Sequence, residues 1–222
     1  MRNKKTKLIE NPDLLINAGN PQGKLGEKLI DNMNINHENL AQWGVSHINI
    51  FKDSIILDIG CGGGVNVQRF LKLTDNKVYG VDYSEVSVKK SSELNKKEIE
   101  KKRCEIREES VSDMSFGDDT FDIITAFETV YFWPDIKNDF KEVRRVLKDE
   151  GVFLICNEAL PKENDERQNE FIELLKCNIY SENELIDLLK ENGFSKVETH
   201  IKKSKDSFTG EDADWICAIA KK

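Results

Sequence analysis

Ser54-Ile-Ile-Leu-Asp-Ile-Gly-Cys-Gly-Gly-Gly64 decides the fold. Ile55, Ile56, Leu57 and Ile59 form a short β-branched apolar run of the kind buried on both faces of a parallel sheet. The glycines at 60, 62, 63 and 64 permit a tight turn with positive φ and let backbone approach a ligand where a Cβ would clash. Val65, Val67, Phe70 and Leu71 then recur at helical spacing. A strand, a glycine loop and a helix N-terminus in succession make a nucleotide-type cofactor site.

Downstream, the pattern alternates. Lys77-Val-Tyr-Gly-Val-Asp82 reads as a second buried strand ending in an acid, and Ser84 caps a helix expected to run to about Lys101. Cys104 to Glu109 is a shorter, more polar strand suited to an edge, and Phe121 to Phe127 is a fourth. Pro134 is placed to open a helix with Ile136, Phe140, Val143 and Leu147 on one face. Gly151 to Cys156 is the fifth strand. A charged connector with a weak helical pattern around Phe171, Leu174 and Leu175 follows, and then a capping box, Ser181-x-x-Glu184, opens a helix that Gly193 ends. Val197 to Ile201 and Asp214 to Ile219 are the last strands. Only the polar stretch from Lys202 to Asp212 joins them, too little for a helical crossover, so they should pair antiparallel at one edge. The expected fold is α/β: a doubly wound, seven-stranded, mostly parallel Rossmann-like sheet.

Two helical segments precede the first strand, one with Leu25, Leu29, Ile30 and Met33 and a break at Asn34 to Asn36, the other with Leu40, Trp43, His47 and Ile48. Residues 1–50 thus form an N-terminal helical cap ahead of a domain at 51–222. Gly19, Gly23 and Gly26 loosen this region, favouring a lid over residues 14–48. Residues 1–20 are polar and expected to wrap or fray.

At 222 residues, 33% charged, 38% hydrophobic and a formal net charge of −8, the chain is an ordinary soluble protein of acidic balance. Its overall field repels phosphate, which argues against nucleic acid as a partner. The basic Arg2 to Lys7 and Lys89 to Arg103 read as a tail and a solvated helix face. Five cysteines, an odd number with no C-x-x-C pair, fit reduced cytoplasmic thiols. His37, His47 and His200 show no second ligand at metal spacing, so no metal is expected. No run approaches the roughly 18 apolar residues of a membrane span, and no signal peptide is evident.

In a doubly wound sheet the ligand lies at the carboxyl ends of the strands near the switch point. There Asp82, 22 residues after Gly60, is placed to accept both hydroxyls of a ribose. A dinucleotide fingerprint needs a third glycine where this chain has Val65, which counts against an NAD-type oxidoreductase. The stretch Thr125-Ala-Phe-Glu-Thr-Val-Tyr-Phe-Trp-Pro134 puts an acid and a dense aromatic set at the mouth of the fourth strand. Glu128 is the candidate to orient an amine or accept a proton, with Glu158 a second candidate. Tyr131 and Trp133 are candidate walls of a substrate pocket, while Phe132 suits packing.

Ile56 to Gly64 resembles motif I of the class I S-adenosylmethionine-dependent methyltransferases, closest to those akin to the ubiquinone/menaquinone-biosynthesis group. Val78 to Ser84, Ser110 to Phe116 with Asp119 to Asp122, and Val143 to Leu154 resemble the segments that follow it. The resemblance implies S-adenosyl-L-methionine as cofactor and methyl transfer to a small-molecule acceptor by in-line displacement. Gly60, Cys61 and Gly62 would line the methionine moiety, and Asp58 would hold its amino group directly or through water. Asp82 would take the ribose hydroxyls, Tyr83 would pack on the adenine, Val111 and Ser112 would meet the adenine edge, and Phe127 would close the methionine end. Ser110 stands where the family often has an acid, and Leu147-Lys-Asp-Glu-Gly151 lacks the proline of the usual L-K-P-G-G turn, so a looser turn is expected. A non-catalytic binder of the cofactor or its demethylated product shares the same motif.

Overall fold

The computed structural model describes residues 15–207 and 210–222. The basic stretch at 2–7, most of the polar stretch at 1–20 and residue 14 of the expected lid lie outside them. One seven-stranded sheet runs β3 (Cys104–Glu108), β2 (Val78–Asp82), β1 (Ile56–Ile59), β4 (Phe121–Phe127), β5 (Leu147–Asn157), β7 (Asp212–Lys221), β6 (Ser195–Lys205). The pairs among β1 to β5 are parallel, while β7 is antiparallel to both its neighbours. The chain reverses its direction of travel across the sheet between β1 and β4, so a crevice opens there at the strand ends.

Strand residues alternate between two cores because successive side chains point to opposite faces. Leu57, Val81, Ile124 and Phe153 pack with Phe140, Val143 and Leu185. Ile56, Val78, Ile123 and Leu154 pack with Leu40, Val67 and Phe70. The helices are α1 (Gly23–Asn36), α2 (Glu38–Val45), α3 (Val65–Leu73), α4 (Glu85–Leu94), α5 (Lys96–Glu100), α6 (Ile136–Val146), α7 (Glu166–Leu175) and α8 (Glu182–Glu191). Among the described residues, no helix is long and apolar enough to cross a membrane.

Several boundaries differ from expectation, each for a local reason. The helix after Ser84 ends at Leu94, where Asn95 turns its side-chain amide to Gly64 O (3.1 Å) and Ser91 O (3.0 Å), tying the helix to the glycine loop. Pro134 lies outside α6, whose N-cap is Asp135, accepting from Asn138 N. The first helix runs through Asn34 to Asn36 and breaks at His37 instead. The last two strands extend to Lys205 and from Asp212, shortening the connection between them. The segment expected as a turn at Leu147 to Gly151 is absorbed into β5 as an irregularity, with Leu147 paired to Phe121 and Glu150 at φ 60°.

The N-terminal helices lie against the working face. α1 packs on α4 and α2 on β5. A Cβ at Gly63 would run into Asn34 and Ile30 of α1, so the glycine loop and α1 meet as bare backbone against side chain.

Candidate active site

A cavity of about 320 Å³ opens over the glycine loop. Gly60, Cys61, Gly62, Asp82, Tyr83, Val111, Phe127 and Glu128 line it. Gly60 adopts φ +69°, and a Cβ there would sit 2.5 Å from Thr129 Oγ1, so only glycine serves. Gly62 differs: nothing lies within 4 Å of where its Cβ would point, so the space above its backbone is open to a ligand.

Asp82, at the end of β2, is buried and oriented by backbone. Its Oδ2 accepts from Gly62 N and its Oδ1 from Ser84 N, both at 2.9 Å. Burial raises its carboxyl above the ordinary range, with those two amide bonds opposing the shift. Asp58 stands behind the loop and does not line the cavity itself. It accepts from Thr125 Oγ1 at 2.7 Å, and burial pushes its carboxyl up to about 7. Tyr83 is half exposed, and its hydroxyl donates to Gly19 O. Ser112 turns its side chain away to donate to Asp139 Oδ1 at 2.6 Å, leaving Val111, Ser110 and Glu109 on the wall. Arg69 of α3 also reaches the wall, paired with Glu38 at 2.5 Å.

A second cavity of about 250 Å³ adjoins the first. Its wall is largely apolar, including Leu29, Leu160, Phe171 and Ile179, and the two cavities share Ala18, Met33, His37, Glu128 and Phe132. Glu128 is the hinge of this arrangement. It holds φ +58°, a left-handed conformation uncommon for a residue with a Cβ, at the point where β4 turns into a 3₁₀ turn at Val130–Phe132. Its amide donates to Cys156 O at 3.0 Å. Its carboxylate accepts from the Tyr131 hydroxyl at 2.6 Å and from Glu158 N at 2.5 Å. Burial and then the nearby Glu158 raise Glu128 well above the ordinary carboxylate range. Burial raises Glu158 to about 7 and lowers His37 to about 4.

The structure separates the aromatic candidates. Tyr131 lines the second cavity. Trp133 is a core residue that also borders the first cavity: its ring lies against Phe140 and Phe153, and its Nε1 donates to Thr129 Oγ1 at 3.0 Å. Phe132, the one suited to packing on sequence grounds, faces both cavities. One histidine for which the sequence offered no second ligand at metal spacing also converges here. His37, in the junction between α1 and α2, lies 3.9 Å from Glu128 Oε2 and close to Glu158, a grouping that chain spacing does not reveal. His47 and His200 stack on each other elsewhere, with ring centroids 4.0 Å apart.

Comparison with known proteins agrees with this architecture. Residues 57–155 match the methyltransferase-domain family model. A sterol 24-C-methyltransferase of Aspergillus fumigatus is 31% identical over 98 residues, 44% of this chain and 26% of that protein. The uncharacterized methyltransferase YcgJ of Bacillus subtilis is 31% identical over 121 residues, 54% of this chain and 46% of its own length. The chain therefore spans about a quarter to a half of the length of these curated relatives. Among solved structures, Haemonchus contortus phosphoethanolamine N-methyltransferase 2 with phosphomonomethylethanolamine and S-adenosylhomocysteine superposes with TM-score 0.76 at 16% identity, covering 88% of this chain and 57% of that one. The methyltransferase-domain match thus spans somewhat under half of the chain, at 57–155, and the solved structure, at 16% identity, shares the fold.

Proposed function

We propose that this chain transfers the methyl group of S-adenosylmethionine to a small-molecule acceptor. One observation carries the reading: a glycine-floored cleft with a carboxylate at its rim meets a mostly apolar chamber at a single acid, Glu128. The residues fit the cofactor. The open backbone at Gly62 leaves room for the methionine moiety, Asp82 is oriented for two ribose hydroxyls, and Tyr83 and Val111 flank the space for adenine. Gly60 and Cys61 floor the loop, Phe127 closes the inner end, and Asp58, set behind the loop, reaches the ammonium through water. Ser112 supports the adenine wall through its main chain.

The cofactor, when bound, supplies an electrophilic methyl on a sulfonium. The protein's tasks are then to position the acceptor and exclude water, and holding both reactants is worth roughly 7–11 kcal/mol of the barrier. The second cavity holds the acceptor's apolar body, with Tyr131 and Phe132 on its wall and Trp133 on the cofactor side. Glu128 orients the nucleophilic atom and takes a proton where the nucleophile must lose one. The relatives' names, a sterol methyltransferase and a phosphoethanolamine methyltransferase, support a small acceptor. The net charge of −8 speaks against nucleic acid, and five buried unpaired thiols fit a reducing cytoplasm. Helices α1 and α2, with residues 15–22 before them, act as a movable cover over the domain at 51–222.

Calorimetric titration with S-adenosylmethionine, S-adenosylhomocysteine and NAD tests the reading, followed by methyl release over a panel of amines, alcohols and alkenes. Binding of the first two and turnover of at least one acceptor is expected. Binding of NAD alone makes it an oxidoreductase, and cofactor binding without turnover of any acceptor makes it a binder.

A further inference from the structure

We propose that His37, Glu128 and Glu158 form a site for one divalent transition-metal ion in the wall between the two cavities. The three donors come from separate parts of the chain: the junction between α1 and α2, the residue after β4 and the residue after β5. One ligand atom from each lies within 4.8 Å of the other two, and His37 Nε2 is 3.9 Å from Glu128 Oε2. Nitrogen and oxygen donors about 2.0–2.2 Å from a shared ion stand roughly 3–4 Å apart, so side-chain adjustments of under about 1 Å complete the geometry.

The surroundings are built as metal sites are built. Glu128 is fixed by its left-handed backbone, by the Tyr131 hydroxyl and by Glu158 N. Glu158 is fixed by Ser207, whose amide donates at 2.9 Å and whose hydroxyl also donates. Such partners orient a carboxylate while leaving it lone pairs for an ion. The acids are also costly as they stand. Glu158 is 4% exposed, the Glu128 side chain 10%, and the Asp206 carboxylate acts on both as well as on His37. Two buried like charges side by side favour a bound dication that cancels them.

The donor set selects the ion. One imidazole and two carboxylates suit Mn²⁺, Fe²⁺, Co²⁺ or Zn²⁺, whereas Ca²⁺ takes six to eight oxygens. Three protein ligands leave positions open toward the second cavity, where an oxygen or nitrogen of an acceptor can enter. On this arrangement the polarisation that Glu128 supplies in a metal-free site passes to the ion. Metal binding itself needs neither cofactor nor acceptor, so the site stands apart from the methyl-transfer reading.

The test uses the full chain, stripped with a chelator and desalted. Mn²⁺ and Zn²⁺ are titrated separately by calorimetry, and Mn²⁺ also by loss of its free-ion electron paramagnetic resonance signal. One ion per chain is expected, with His37→Ala and Glu158→Gln each weakening it about tenfold or more. S-adenosylhomocysteine is titrated in parallel in metal-free buffer. Binding of that ligand by a chain that takes up no ion overturns the metal site alone, and ion uptake without it overturns only the cofactor reading. Uptake unchanged in both variants also overturns the site. Should either variant unfold, pulsed resonance of Mn²⁺ on the wild-type chain decides: nitrogen coupling supports the site, and its absence overturns it.

Discussion

The two halves of the crevice are made from different materials. On the β1–β2 side the cleft is backbone: a bare loop at 60–64, amides that clamp Asp82, and glycines whose conformations no other residue adopts cheaply. On the β4–β5 side it is side chain: an imidazole, two glutamates and a tyrosine drawn from distant segments and buried together. Backbone recognition suits a ligand that never changes, and interchangeable side chains suit one that differs from relative to relative. If the division is real, mutations on one side should leave the other side's task intact.

The largest expected effect is on the side-chain half. Glu128→Gln keeps the shape and the contact with Tyr131 while removing the charge. Turnover of an accepted substrate should fall about 10²–10⁴-fold, in line with loss of a general base or an acceptor-orienting carboxylate. Affinity for S-adenosylhomocysteine should change by less than about twofold, because the cleft floor is untouched. Rapid-quench turnover beside a calorimetric titration measures both. Unchanged turnover removes Glu128 from the reaction, and a parallel loss of cofactor affinity breaks the separation of the halves.

A smaller effect belongs to the backbone half and reads through pH. Burial holds the Asp58 carboxyl at about 7, with Thr125 and Arg69 pulling it down and Asp82 pushing it up. Raised above its unfolded value of 3.8, it binds a proton in the folded state that the unfolded chain has lost. The ligand-free protein therefore loses stability as pH rises from about 4 to about 7, and no further above that. An ammonium beside Asp58 favours the carboxylate, so binding should release a proton below pH 7. Affinity for S-adenosylhomocysteine should rise up to about tenfold per pH unit toward 7 and flatten beyond it. Asp58→Asn should abolish that slope, and a slope that survives the substitution assigns the proton to another group. Calorimetry in buffers of different ionisation enthalpy counts the proton directly.

The same division explains what could be read in the sequence. Short continuous apolar runs, a glycine cluster and a capping box are local signals, so the strands, the antiparallel last pair, the loop at 60–64 and the position of Asp82 were all legible from neighbours in the chain. The His37–Glu128–Glu158 grouping was not, because nothing in the spacing of three histidines says which meets an acid once the sheet closes. The aromatic run shows the limit at single-residue scale. Tyr131, Phe132 and Trp133 are consecutive, and their directions follow from the left-handed backbone at Glu128 and the 3₁₀ turn after it. Neither feature has a composition signal at that position, so Trp133 goes to the core and Phe132 to the cavities. Asn95 breaking its helix to reach Gly64 O is likewise a tertiary bond overriding local propensity.

The smallest expected effect concerns the segment that touches both halves. Residues 15–48 reach the backbone half through Ser84 Oγ donating to Pro21 O at 2.6 Å, Tyr83 donating to Gly19 O, and the Lys90–Asp31 pair at 2.7 Å. They reach the side-chain half through Met33 and His37. Two of the three polar contacts, at Pro21 and Gly19, fall on residues that also line the cleft, as do Met33 and His37, so filling it should tighten the cover more than the sheet beneath. Hydrogen exchange on adding S-adenosylhomocysteine should slow across residues 15–36 by on the order of 1 kcal/mol, about fivefold, beyond any change in β4 and β5. Equal slowing everywhere means the ligand stabilises the whole fold and α1 is a fixed cap. Slowing confined to α3 and α4 means the cleft closes without α1, and the halves then communicate only through the sheet.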